Sequence, residues 1–352
     1  MGFHVENPGI LTTIQDSGRY GYEKFGISPS GPMDFVSFTL ANILAGNSFN
    51  EACLELTIAG ASLRFDSECV IAVTGADMNA QINGRPCEMY RAVKINAGDV
   101  LALGFAKNYC RTYIAFHGGL DVPVIMGSRS AAIQNHIGKK IQKGDYIQIR
   151  RDDTPVKNLD SRFIMPPANV TSERTVRVIL GPQNDRFTEK GINDFLTQPY
   201  RVSSDFNRMG YRLEGAKIEH KTDCNIISDG MTTGAVQIPG SGQPIIMMSE
   251  RQTIGGYTKI ASVITADLPL IGQSREGDIL RFKSVSLKEA HESLREIYTN
   301  FTALQTRLNT SVSPNESHDN VTGIHDRLND SNLQNYRVKV DGKIYHVSIE
   351  RL

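Results

Sequence analysis

Through its first 285 residues the chain sets short apolar runs between Gly, Asn, Asp and Pro, the pattern of β-strands joined by tight turns. Residues 70–73 form one such run, closed by the turn Thr74-Gly75-Ala76-Asp77. Gln81-Ile82-Asn83-Gly84-Arg85 carries Asn-Gly, a strong hairpin signal, because both central residues of a type I′ turn need positive φ. Three Gly-Asp turns, at Gly98-Asp99, Gly144-Asp145 and Gly277-Asp278, lead into strands that begin at Val100, Tyr146 and Ile279. Many short strands with such punctuation predict a barrel or sandwich.

Helical spacing appears in few places. Residues 34–45 predict a helix with Asp34 as N-cap and Gly46-Asn47 as its stop. Residues 185–196 predict a second, with Asp185 as cap and Pro199 beyond its end. Residues 286–308 give the clearest case. Ser286 and Glu289 make a capping box, and Leu287, Ala290, Leu294, Ile297, Phe301 and Leu308 recur on one face, which predicts that this helix lies on a barrel. Residues 309–335 are rich in Asn, Ser, Asp and His and predict a disordered linker. Residues 336–349 then alternate strictly around Asp341-Gly342 and predict a terminal hairpin, which needs a packing partner to be stable.

The bulk properties narrow the class. A length of 352 residues predicts two domains at roughly 150 residues each, with the boundary in the Pro- and Asp-rich segment 152–174. Lys plus Arg and Asp plus Glu are each 38, so no basic excess points to nucleic acid. Residues 1–15 lack a basic region followed by an apolar run, and no apolar stretch approaches the ~20 residues of a membrane helix. Cys53, Cys69, Cys87, Cys110 and Cys224 are widely scattered, which predicts buried thiols in a reducing cytoplasm and no metal site.

Several polar clusters are candidates for chemistry. Residues 11–34 set Gln15, Asp16, Arg19 and Asp34 among glycines and prolines, either as a ligand loop or as a surface loop over a barrel mouth. Residues 181–187, Gly-Pro-Gln-Asn-Asp-Arg-Phe, follow an apolar strand and make either an anion site at a helix N-terminus or an ordinary strand–helix connection. Arg208 and Arg212 flank a glycine and either hold a carboxylate or phosphate or pair with surface acids. Residues 226–256 are the richest stretch, with Asp229, Gln237, Gln243, Arg251 and Gln252 beside glycine turns. His117 is either a base near neutral pH or a structural histidine. No phosphate loop ending in Gly-Lys-Ser/Thr occurs, so ATP binding through one is not expected of this chain.

In this order the segments 11–34, 54–57, 74–77, 118–123, 181–187, 208–215, 227–256 and 275–282 resemble the carboxyltransferase-domain family, which includes the C subunit of 5-oxoprolinase, the antagonist of the Kip inhibitor and the second subunit of allophanate hydrolase. The resemblance spans roughly residues 1–285. It departs at Asn207, where relatives carry aspartate, and at His117, where they carry alanine. It implies a mainly β fold of two cyclophilin-like barrel domains, over residues 1–155 and 172–308, with a C-terminal helix, a linker over 309–335 and a hairpin over 336–352. The implied activity is that of a cytoplasmic subunit of a multi-chain, ATP-dependent enzyme acting on a small amide or lactam, foremost 5-oxoprolinase. Its implied partners are a Kip-inhibitor-like subunit and a lactam-utilisation subunit. The alternative is a biotin-dependent carboxyltransferase with a urea-like acceptor, served by a biotin carboxyl carrier protein and a biotin carboxylase. A second alternative is a regulator that only binds a Kip-inhibitor-like partner. The expected catalytic residues are Asp229 and Arg251. The expected substrate contacts are Gln15, Arg19, Asp34, Asp77, Arg208, Arg212, Gln237, Gln243 and Gln252. Residues 336–349 also resemble the opening hairpin of biotinyl carrier domains, but no Met-Lys-Met follows before Leu352, so this segment is not expected to carry biotin.

Overall fold

A computed structural model describes residues 1–166 and 171–310, together with the backbone of residues 333–340 and 343–350. Most of the predicted linker lies outside the described residues. The fold is mainly β, and four α-helices occur among the described residues: α1 (Phe35–Leu44), α2 (Glu189–Thr197), α3 (Leu268–Gly272) and α4 (Leu287–Asn309).

The N-terminal strands divide between two sheets. One runs in the order Tyr146–Gln148, Gly2–Asn7, Ser62–Phe65, Val100–Ala102, Gln81–Ile82, Arg85–Pro86. The other runs Leu11–Gln15, Cys53–Thr57, Arg111–Phe116, Cys69–Gly75, Ala92–Ile95. The first sheet alternates as a half-buried strand should: Phe3 and Val5 face the core while His4 faces out. The central strands of the second are buried at every position. Leu54, Leu56, Ile114 and Phe116 meet Phe3 and Phe65 of the first sheet. The alternate residues Cys53, Tyr113 and Ala115 pack against α1. Sheet strands covered on both faces read as continuous apolar runs.

That packing explains the composition of α1. Every residue except Phe35 is buried, because the sheet lies on one side and α4 on the other. Asp34 caps it as predicted, its Oδ1 accepting from the backbone N–H groups of Val36 (3.0 Å) and Ser37 (2.9 Å). The capping box at Ser286 and Glu289 is also present. The stripe of α4 does not rest on a barrel alone: Ile297, Phe301, Leu304 and Leu308 pack with α1, while Ser293 accepts from Arg177 of the barrel at 2.7 Å.

Seven strands close a barrel in the order Glu173–Leu180, Lys259–Val263, Ala235–Gln237, Ile245–Met247, Gly210–Gly215, Tyr200–Phe206, Ile279–Ser284. The ring closes by parallel pairing of its first and last strands in the chain. Phe195 of α2 stacks on Phe282 at 4.4 Å inside this core. α2 begins at Glu189, later than predicted. Asp185 falls in a 3-10 turn, Asn184–Arg186, and Thr188 is the cap, accepting from Gly191 N–H at 2.9 Å. A separate ribbon pairs Asn225–Gly230 with Ile254–Tyr257. Leu333–Val340 and Lys343–Glu350 pair antiparallel with Val340 opposite Lys343, so the terminal hairpin starts before the predicted residue 336; its turn residues lie outside the described set.

Candidate functional site

The two sheets and the barrel meet along a seam built from buried charge. Arg208, at the barrel side, pairs with Glu55 of the strand Cys53–Thr57 and donates through Nε to Glu250 at 2.6 Å. Its Nη2 donates to Ser30 Oγ (3.0 Å) and Gly31 O (2.7 Å). Glu55 also accepts from Tyr113 OH (2.7 Å) and Met33 N–H (2.9 Å) and lies 3.7 Å from Arg111. Burial alone would push the Glu55 carboxyl up, but Arg208 and Arg111 outweigh it and hold the group below its usual range. Two buried cations thus face two buried carboxylates, the condition under which such charges persist in a core.

Beside this network a cleft of about 390 Å³ opens between the halves. Ser17, Tyr20 and Ser30 come from the loop 16–34, Phe35 and Phe38 from α1, Thr233, Ser249 and Thr265 from barrel loops, and Tyr298 from α4. Aromatic walls with a few hydroxyls suit a small, planar, polar ligand.

The segment 229–233, whose Thr233 lines the cleft, is gripped by two buried cations. Arg251 donates through Nε to Met231 O at 2.9 Å; its Nη1 is buried and has no hydrogen-bond partner among the described residues. Burial pushes this guanidinium below its ordinary range, and Glu23 and Tyr20 act against that shift. Lys259 donates through Nζ to Asp229 Oδ2 (2.7 Å) and to Gly230 O (3.2 Å). The Lys259 hydrogen bond holds the Asp229 carboxyl below its usual range.

The structure therefore brings Gln15, Asp34 and Arg208 to the seam and joins Asp229 and Arg251 through the segment 229–233, which reaches the cleft at Thr233, but it scatters the rest. Gln15 Nε2 is spent on Thr13 Oγ1 and Ala131 O, and Asp34 Oδ2 takes Gln273 Nε2 at 2.8 Å. Arg19 points into the loop 125–130, donating to Ile125 O and Ser130 O, while its Nη1 has no hydrogen-bond partner among the described residues. Arg212 pairs with Asp205 on the barrel's exterior, and Asp77 pairs with Lys107 on the surface. Gln243 clips both polar groups of the Gly215 backbone. Gln237 sits under the ribbon, 3.4 Å from Tyr257 O, and Gln252 is exposed. His117 bridges Ala45 O (3.0 Å) and Thr154 O (2.8 Å).

Glu55, Glu250 and Lys259 were not anticipated. For Glu55 and Lys259 a signal existed: a lone charge inside or opening an otherwise apolar strand, in Leu54-Glu55-Leu56 and in Lys259–Val263. Among the described residues no cluster of His, Cys, Asp and Glu is placed to hold a metal ion, and no helix is long and apolar enough to cross a membrane.

Comparison with known proteins agrees with this architecture. The C subunit of 5-oxoprolinase from Escherichia coli is 33% identical over 304 residues, 85% of this chain and 96% of its own length. The protein of that name from Haemophilus influenzae is 35% identical over 292 residues, 81% of this chain and 93% of its own. The crystal structure of the Kluyveromyces lactis urea carboxylase matches with a TM-score of 0.80 at 29% identity, over 89% of this chain and 30% of that one. Residues 25–284 match the carboxyltransferase domain, subdomain A and B, and the chain belongs to that family.

Proposed function

We propose that this chain is the C subunit of a cytoplasmic 5-oxoprolinase, which opens the lactam of 5-oxoproline to glutamate at the expense of ATP. The observation that carries this reading is the alignment with two proteins so named over 96% and 93% of their lengths. The partners in this reading are a Kip-inhibitor-like subunit and a lactam-utilisation subunit. ATP is assigned to the partners, because the sequence offers no phosphate loop. The cleft is of a size for a five-membered lactam bearing a carboxylate. In this reading Arg251 supplies the cation for the carboxylate, Asp229 accepts the lactam N–H, and the hydroxyls of the cleft orient the ring. Arg208 holds the seam that shapes the cleft, since its guanidinium is already engaged by two carboxylates, Ser30 and Gly31.

The test is ATP-dependent release of glutamate by the reconstituted complex. Asp229→Ala and Arg251→Ala should each lower kcat/KM by about 100-fold or more; wild-type rates in folded variants would remove those roles. A second reading, carboxyl transfer from a carboxybiotin carrier to a urea-like acceptor, is favoured by the likeness to the urea carboxylase structure. Its partners would be a biotin carboxyl carrier protein and a biotin carboxylase. Avidin separates the two, because it should block only the biotin route.

A further inference from the structure

Lys259 opens the barrel strand Lys259–Val263, with its side chain only 5% exposed. A lysine is rarely buried unless its charge is paired. Its partner here is unusual for a structural ion pair, because Asp229 is 57% exposed. A half-exposed pair contributes little stability. What the contact does is geometric. One ammonium fixes both the Asp229 carboxylate and the next backbone carbonyl, Gly230 O. Arg251 takes the carbonyl after that, Met231 O, and two residues later Thr233 lines the cleft. Two buried cations on successive carbonyls leave this segment little freedom to turn. The lysine is itself held in place, its backbone N–H donating to Gln183 Oε1 at 3.1 Å.

We propose that Lys259 is the positioning residue of the site: it holds the Asp229 carboxylate in place for the substrate and locks the segment 229–233, which reaches the cleft at Thr233. The inference rests on the role given above to Asp229. Lys259 is the charged group acting on Asp229; the other side chain bonded to it, Gln183, is neutral.

The test uses Lys259→Met, Lys259→Arg and Asp229→Asn in the reconstituted complex, with kcat/KM measured across pH. The ionised Asp229 carboxylate accepts an N–H more strongly than the neutral acid does, so activity falls in acid as it protonates. Removing the ammonium raises the pH at which that happens. Lys259→Met should therefore shift the acid limb to higher pH and lower kcat/KM about tenfold or more on that limb, with Lys259→Arg restoring the limb and Asp229→Asn abolishing it. A folded Lys259→Met complex with an unmoved limb would overturn the proposal. A purely structural lysine would lower the rate at every pH alike. Carbon-13 NMR titration of the Asp229 carboxyl in the chain gives the same answer without turnover: an upward shift in Lys259→Met supports the proposal, and no shift overturns it. A wild-type complex that opens no 5-oxoproline would sink the functional reading while this titration still decides the role of Lys259.

Discussion

Arg208 shows how a residue can be chosen for the right chemistry and the wrong partner. A guanidinium beside a glycine is suited to a carboxylate, and it finds two, but both belong to the protein and one lies 153 residues away in the chain. Local pattern cannot reveal such a pairing. The energetic consequence is specific. Arg208→Ala takes away the ion pair of buried Glu250 and leaves buried Glu55 with Arg111 as its ion-pair partner among the described residues, and should cost about 3–5 kcal/mol. The pH dependence follows from Glu55. Its folded pKa is depressed, so its contribution is present above its unfolded pKa and is lost as pH falls through the folded one. In the variant, burial would dominate and push Glu55 up, so protonation would relieve the penalty as pH falls. The gap in melting temperature between wild type and Arg208→Ala should be widest near neutral pH and narrow on acidification. A gap that stayed constant down to about pH 4 would show that the Glu55 charge does not matter to the seam.

At the scale of elements, the features legible in the sequence were those with local causes. Asp34, Ser286 with Glu289, the Asn-Gly hairpin and the three Gly-Asp turns all act within a few residues, and all formed where expected. The start of α2 was misplaced because two acceptor side chains, Asp185 and Thr188, compete as caps three residues apart, and the later one caps the helix. The C-terminal ends of α1 and α4 fell within a residue of those expected, but the side chain that closes them was not legible. Both are closed by Arg162, fully buried in the segment between the sheets and the barrel. It donates to Ile43 O and Leu44 O at the end of α1, and to Leu308 O and Asn309 Oδ1 at the end of α4. No carboxylate accompanies it among the described residues, so two helix C-termini supply the compensating negative potential. Burial pushes this guanidinium below its ordinary range. Arg162→Ala should cost about 2–4 kcal/mol, since several charge-assisted bonds to buried carbonyls are lost together. Hydrogen exchange should rise in the last turns of both helices at once. Loosening of one helix alone would mean that the two ends are not coupled through this residue.

For the whole molecule, the seam decides whether the cleft exists, because its walls come from both sides of it. Gln273, just after α3, clamps the two sides: its Oε1 accepts from Cys110 N–H (3.0 Å) and Arg111 N–H (2.7 Å), while Nε2 donates to Asp34 Oδ2 and Arg111 O. Immediately before it, Gly272 lets the backbones meet. A Cβ at that position would lie 2.1 Å from Met33 O, a backbone atom that cannot swing aside. Met33 itself lines the cleft and donates its N–H to Glu55. Gly272→Ala must therefore push α3 away from the loop that carries Met33, strain the Gln273 clamp and widen the cleft between Thr265, Leu268 and Phe35. The expected result is a loss of about 1–3 kcal/mol from overpacking, with a rise in KM for the reconstituted complex larger than the stability loss alone produces. Gly104→Ala is the matched control, because the nearest atom its Cβ would meet is Met78 O at 3.5 Å, an ordinary van der Waals contact. If Gly272→Ala behaved like Gly104→Ala in both melting temperature and KM, the close approach at Met33 would not be what sets the spacing of the two walls, and the cleft would have to owe its width to the Arg208 network alone.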